Sequence, residues 1–246
     1  MNNNELMSAS DLLRKAYDLT IAKARVLYPI VAIMFGGWAV IWALGIVSVV
    51  GGGALAGLAG LIAGGAVGLI AFLAFIFIAV WCQVAMYQAI VSDTGFSGAF
   101  AMSKNKVGKY FWTSFLSGLI VGLGFILLLV PGIIFLVWYA FAPIILVAEG
   151  ISGMAALNQS KNYVKGRWGD VAWRLFFVIL GLIIIQIVIG LLFRGSLGGI
   201  ISAILNFLYV PFITVYEYLL YKNLKETMPS AVADVVPTPA IPPMPQ

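Results

Sequence analysis

The stretch from Val130 to Trp168 reads VPGIIFLVWYAFAPIILVAEGISGMAALNQSKNYVKGRW. It holds a Pro-Gly pair, one apolar run, Glu149 where that run stops, and a mixed segment carrying Lys161, Lys165 and Arg167. Proline followed by glycine interrupts a helix and favours a turn. The run after it is a short span by the roughly 30 Å measure of the hydrocarbon layer, and the basic residues beyond it mark the return to water. The unit is a membrane span with a polar foot, and the rest of the chain is built from similar units.

Composition carries that reading outward. Of 246 residues 63% are hydrophobic and 9% charged, whereas soluble domains carry about 25% charged residues. A soluble core of this size cannot hide so much apolar surface, so lipid is the solvent for most of the chain. The pattern predicts an all-α polytopic membrane protein. Its six transmembrane helices lie near 27–50, 54–91, 110–130, 132–148, 171–193 and 197–221, paired into three hairpins. Gly51-Gly52-Gly53 and Pro131-Gly132 are the expected turns of the first two pairs, and the second helix is long enough to tilt or protrude. Residues 1–226 form a single membrane domain. Residues 227–246 contain Pro229, Pro237, Pro239, Pro242, Pro243 and Pro245, and read as a disordered tail. The first twenty residues are polar and mixed in charge, unlike a signal peptide.

The basic residues set the orientation. Arg14, Lys15, Lys23 and Arg25 precede the first span; Lys104, Lys106 and Lys109 lie between the second and third. Lys161, Lys165, Arg167 and Arg174 lie between or just inside the fourth and fifth, and Lys222 and Lys225 follow the sixth. Of the 14 Lys and Arg residues only Arg194 falls on the other side. The positive-inside rule then places both termini in the cytoplasm, with the protein in the cell (cytoplasmic) membrane. The net charge of +5 is accordingly topological and is not read as a nucleic-acid footprint.

A repeat runs through the polar segments. Residues 99–107 align without gaps on residues 156–164, with five of nine positions identical: alanine, Ser-Lys-Asn and valine. Leu12, Leu13, Ala16, Leu19 and Thr20 echo the spacing more weakly. Apolar positions at i, i+1, i+4, i+7 and i+8 make one helical stripe. Each hairpin is thus expected to follow a short amphipathic helix on the cytoplasmic surface, near 10–22, 97–107 and 152–165, with Ser10, Ser97 and Ser152 as N-caps. Units of two crossings return the chain to its starting side, so the copies would be parallel.

Pro131-Gly132-Ile133, an apolar span containing Pro143, Glu149-Gly150, Ala156-Leu157 with Ser160, and Gly166 with Trp168 resemble a broad group of prokaryotic polytopic proteins. That group is related to the membrane domain attached to some glycerophosphodiester phosphodiesterases. The ending Tyr218-Leu219-Leu220-Tyr221-Lys222-Asn223-Leu224 is also similar, and the likeness covers most of residues 8–226. Trp138 stands where many relatives would have arginine. The resemblance implies a membrane fold and no catalytic activity, because the catalytic domain has no counterpart in this chain.

Function has few residues to work with. The chain has no histidine and a single cysteine, Cys82, so no histidine acid–base chemistry, cysteine cluster or intrachain disulfide is expected, and no metal or cofactor. Arg174 and Glu217 are ionisable groups within spans at matching depth, predicted to pair. Glu149 closes a helix, where its charge opposes the dipole, so a basic partner among Lys161, Lys165 and Arg167 is expected. Gln83, Gln88, Gln186 and Asn206 are expected to bond between helices. Gly60, Gly64 and Gly68, and Gly118 with Gly122, should mark close helix packing. Lys104, Lys106, Lys161, Lys165 and Arg167 are the candidate contacts for anionic head groups or a partner protein, a second copy included. The function expected is non-enzymatic organisation of lipids or partners at the cytoplasmic leaflet. A small-solute or lipid transporter is the alternative. A membrane enzyme fits least, since no nucleophile–base set or carboxylate pair converges.

Overall fold

A computed structural model describes residues 6–193 and 195–227, and every regular element among them is helical. In chain order they are α1 (Ala9–Ala22), α2 (Ala24–Val91), α3 (Phe96–Ser103), a 3₁₀ turn (Lys104–Lys106), α4 (Val107–Leu127), α5 (Leu129–Tyr139), α6 (Ala142–Glu149), α7 (Met154–Val164), α8 (Trp168–Leu192) and α9 (Ser196–Glu226). Six stretches are long and apolar enough to cross a bilayer: 24–45, 64–91, 96–127, 129–149, 168–192 and 197–226. Arg194 and the proline-rich tail lie outside the described residues.

Both expected turns lie elsewhere. Helix continues through Gly51-Gly52-Gly53, and α2 breaks at Gly57, whose φ of 56° and ψ of −137° suit only a residue without Cβ. The limbs on either side fold back on each other. Trp38 meets Phe75 at 5.6 Å between ring centres, and the Lys23 ammonium donates to the Ala89 carbonyl at 2.7 Å; both pairs are centred close to Gly57. The second reversal is at Leu128, extended at φ −165° and ψ 154°. Pro131 and Gly132 already belong to the first turn of α5, where a missing N–H costs nothing.

The segment 129–149 is two helices because Pro143 lacks the N–H that would donate back one turn. Ser160 on α7 repairs the gap: its hydroxyl donates to the Trp138 carbonyl at 2.7 Å and accepts the Phe141 N–H at 3.2 Å. Its repeat partner is bonded similarly. Ser103 donates to the Phe100 carbonyl at 2.8 Å and accepts the Trp81 indole N–H at 2.8 Å. Trp81 and Trp138 each precede their serine by the same spacing, and both serines are fully buried. Ala99 and Ala156, Ala85 and Ala142, and Val107 and Val164 are also buried at both places. Ser160→Ala should lower stability by about 2 kcal/mol, since it strands a carbonyl and an N–H at the kink. Thermal unfolding in detergent micelles measures this, and an unchanged midpoint would remove the bridging role.

The N-caps differ from expectation as well. Ser8 caps α1, its hydroxyl accepting from the Asp11 N–H at 3.1 Å. Gly95 and Gly153 occupy the corresponding places before α3 and α7. The Gly153 N–H is held by the Thr113 hydroxyl of α4 at 2.8 Å, so a tertiary contact replaces a local serine cap.

The protein core gathers at the end of the bundle where α1, α3 and α7 pack. Leu12, Ala16, Leu27, Ile30, residues 84–86, Ile144, Ile145, Leu157, Leu220 and Leu224 are sealed there. Residues at the other end stay open: Ile126 is 81% exposed and Leu191 70%. Such apolar exposure is what a surface solvated by lipid presents. Close helix approach occurs at Gly124 and Gly132, where α4 and α5 cross. At Gly68, Gly118 and Gly122 an added Cβ would meet open space, so the expected small-residue edges are not packing seams there.

Candidate functional site

Charged and polar side chains converge on the end of the bundle that carries the core. There the carbonyls of the last helical turn are left without intrahelical donors and carry partial negative charge. Three basic residues answer that need. The Lys23 ammonium donates to the carbonyls of Ala89 at 2.7 Å and Ile90 at 3.3 Å at the end of α2, and pairs with Asp93 at 2.9 Å. The Lys106 ammonium donates to the Val147 carbonyl at the end of α6 and to the Gln88 Oε1, both at 2.9 Å. Arg167 donates to the Leu224 carbonyl at 3.2 Å and to the Thr227 hydroxyl at the end of α9. Desolvation pushes the Arg167 guanidinium below its ordinary range, the nearby Asp170 opposing it. Lys23 beside Asp93 holds that carboxyl below the usual carboxylate range.

The five candidate lipid-contact cations therefore separate. Lys106 and Arg167 are turned into the protein as helix caps. Lys161 lies over the Trp138 ring at 4.3 Å from its centre, a cation–π contact. Lys104 and Lys165 are exposed.

Glu149 is held by other partners than expected. Its Oε1 accepts the Tyr163 hydroxyl at 2.7 Å, the Tyr221 hydroxyl, and the Lys225 ammonium at 2.9 Å. None of Lys161, Lys165 and Arg167 is used, because the first stacks on tryptophan, the second is exposed and the third reaches α9. Burial, with the carboxylate beside it, pushes the Tyr163 hydroxyl well above its ordinary range, so Tyr163 remains a donor. Gly150 follows Glu149 in left-handed conformation, φ 78°, and its N–H returns to the Leu146 carbonyl at 3.0 Å. The site joins α6, α7 and α9 through one oxygen atom.

Arg174 and Glu217 do not pair. The Arg174 guanidinium donates to the Met7 carbonyl at 2.8 and 3.0 Å and to the Asp170 carbonyl at 2.9 Å. Glu217 accepts the Tyr87 hydroxyl at 2.9 Å. The reason is rotational. Tyr216 is the residue of α9 that faces α8, its hydroxyl donating to the Arg174 carbonyl at 3.1 Å. The next residue of a helix points about 100° away, which turns Glu217 toward α2. Gln186 and Asn206 do meet, at 3.3 Å between α8 and α9, whereas Gln88 bonds within its own helix end to Ser92 as well as to Lys106.

Tyr87, Tyr163, Tyr221 and Lys225 were not anticipated at these sites. Tyr221 and Lys225 are one helical turn apart and share a face, a spacing visible in the sequence. Nothing local says that Glu149 is the carboxylate facing them.

Fold and site together define a multi-pass helical membrane protein whose polar bonding is concentrated at one end. Among proteins of known sequence, the chain is similar to a UPF0259 membrane protein of Wigglesworthia glossinidia brevipalpis, 28% identical over 126 residues, which is 49% of this chain and 48% of that protein. The chain is thus matched over about half the length of this relative. No family model and no solved structure matches. The similarity is consistent with a prokaryotic membrane protein family and makes no link to the phosphodiesterase membrane domains.

Proposed function

We propose that the chain is a non-catalytic protein of the cytoplasmic membrane that organises anionic lipids or a partner protein at the inner leaflet. In this reading its spans form three hairpins, each introduced by a short amphipathic helix at the cytoplasmic surface, with both termini on that side. The membrane-domain resemblance belongs to the same reading and adds no catalytic step.

The observation that carries it is the division among the basic residues. Lys23, Lys106 and Arg167 are consumed as helix caps, which explains part of the positive end without any partner. Lys104 and Lys165 are exposed at that same end, and a basic residue close to an anionic surface is favourable by about 1 kcal/mol. Native mass spectrometry of the gently extracted protein tests the proposal. Wild type should retain anionic phospholipid or a partner chain, a second copy included, and the double variant Lys104→Gln/Lys165→Gln should lose it while still inserting. Identical retained species in both would sink the reading.

Glu217 supports the transporter alternative, because among the described residues a carboxylate on a spanning helix is bonded only by the Tyr87 hydroxyl. If that reading holds, Glu217→Gln should abolish solute flux in reconstituted vesicles. Absence of flux from wild type across a broad solute panel would set it aside.

A further inference from the structure

We infer that the groove between α2 and α3 is a binding site for one anionic phospholipid, its acyl chain along the groove and its phosphate at Lys104. The inference rests on the lipid-organising reading and narrows it to one place. The groove has a volume of about 560 Å³, within the size range of ligand sites. Ile33, Ile78, Trp81, Phe96 and Phe100 supply most of its wall, and among the described residues Lys104 is the one charged residue lining it. Its walls are ordered by the protein. The Trp81 indole N–H is fixed by Ser103 at 2.8 Å, and Phe100 packs edge-on to Trp81 at 5.6 Å.

Comparison of the two repeat copies says why the cation matters. Lys161 and Trp138 are the counterparts of Lys104 and Trp81, and Lys161 folds onto the Trp138 ring at 4.3 Å. In the first copy Phe100 replaces Leu157 and takes a place against the tryptophan. Lys104 enters neither a ring contact nor an ion pair among the described residues, and it is exposed where the groove meets the surface. A trough lined by apolar side chains apart from Ser97 and one solvated ammonium matches an amphiphile with a single anionic head. A zwitterionic lipid offers the same chain without the net charge, and so supplies the comparison.

The test uses the full chain in phosphatidylcholine vesicles, read by tryptophan fluorescence. Either phosphatidylglycerol or phosphatidylcholine with brominated acyl chains is added at equal mole fraction, and the Trp81 signal is taken as the difference from Trp81→Phe. Brominated phosphatidylglycerol should quench Trp81 with about a fivefold preference over brominated phosphatidylcholine, the factor one basic residue near an anionic surface supplies. Lys104→Gln should erase the preference, and Lys165→Gln should leave it. If Trp81→Phe disturbs the fold, Phe96→Trp places a second reporter in the wall and should show the same preference. Equal quenching by both lipids, or a preference that survives Lys104→Gln, overturns the site. Loss of retained anionic lipid on mutating Lys165 alone, with no preference at Trp81, would keep the broader reading and discard this groove.

Discussion

Glu149→Ala should destabilise the protein by about 3 kcal/mol, through loss of the acceptor shared by two buried hydroxyls and an ammonium. The carboxylate side chain is only 8% exposed, and its Oε1 ties α6 to Tyr163 of α7 and to Tyr221 and Lys225 of α9. Most of the cost comes from the tyrosines. The Lys225 side chain is half exposed, so water and salt screen its attraction and hydrate it once the partner is gone. Lys225→Met should therefore cost less than about 1 kcal/mol. Glu149→Gln, which keeps an acceptor oxygen, should fall between the two. The three variants are compared by unfolding midpoint in micelles of one detergent. A Lys225→Met protein as unstable as Glu149→Ala would mean that the ion pair, and not the hydroxyl pair, holds the three helices.

Gly124→Val should be about as damaging, by roughly 3 kcal/mol, at the upper end of what overpacking costs. A Cβ there would stand 3.0 Å from the Gly132 Cα and 3.1 Å from its nitrogen, with the Phe135 ring at 2.8 Å. Backbone cannot rotate out of the way as a side chain can, so α4 and α5 must separate. Gly132→Val would clash with the Phe125 ring, but Phe125 is 40% exposed and can swing outward, so its penalty should be smaller. Gly122→Val is the control, since a Cβ there meets nothing within 4 Å. Equal unfolding midpoints for Gly124→Val and Gly122→Val would refute the close crossing of α4 and α5.

The same residues show what a linear reading reaches. Pro131-Gly132 marks a chain reversal in sequence, and a reversal does occur there, but at Leu128. Proline suits the first turn of the next helix, and the turn's backbone at Gly132 comes close enough to α4 that Gly124 has no room for a Cβ. Gly51-Gly52-Gly53 shows the opposite error: three glycines read as a turn, yet helix continues through them and the break falls at Gly57, still between the stretches 24–45 and 64–91. Arg174 and Glu217 lie on successive helices, α8 and α9, yet each takes a partner other than the expected one. One residue of helical rotation separates Tyr216, which faces Arg174, from Glu217, which faces Tyr87.

By itself the sequence determined that this is a helical membrane protein with six spans, that its basic residues cluster between alternate spans, and that Ala99–Val107 and Ala156–Val164 carry one residue pattern. Those properties depend on composition and on spacing along the chain, which need no knowledge of neighbours. Tertiary structure alone decided which cations are caps and which are exposed, and which side chains meet Glu149, Arg174 and Glu217. Glu149 finds Lys225 at a separation of 76 residues, and Arg174 finds Met7 at a separation of 167. In a soluble helix the apolar stripe would reveal the inward face and so narrow such pairings. Here lipid and protein interior both select apolar side chains, so hydropathy is nearly uniform around each span, and helix rotation is settled only when the helices pack.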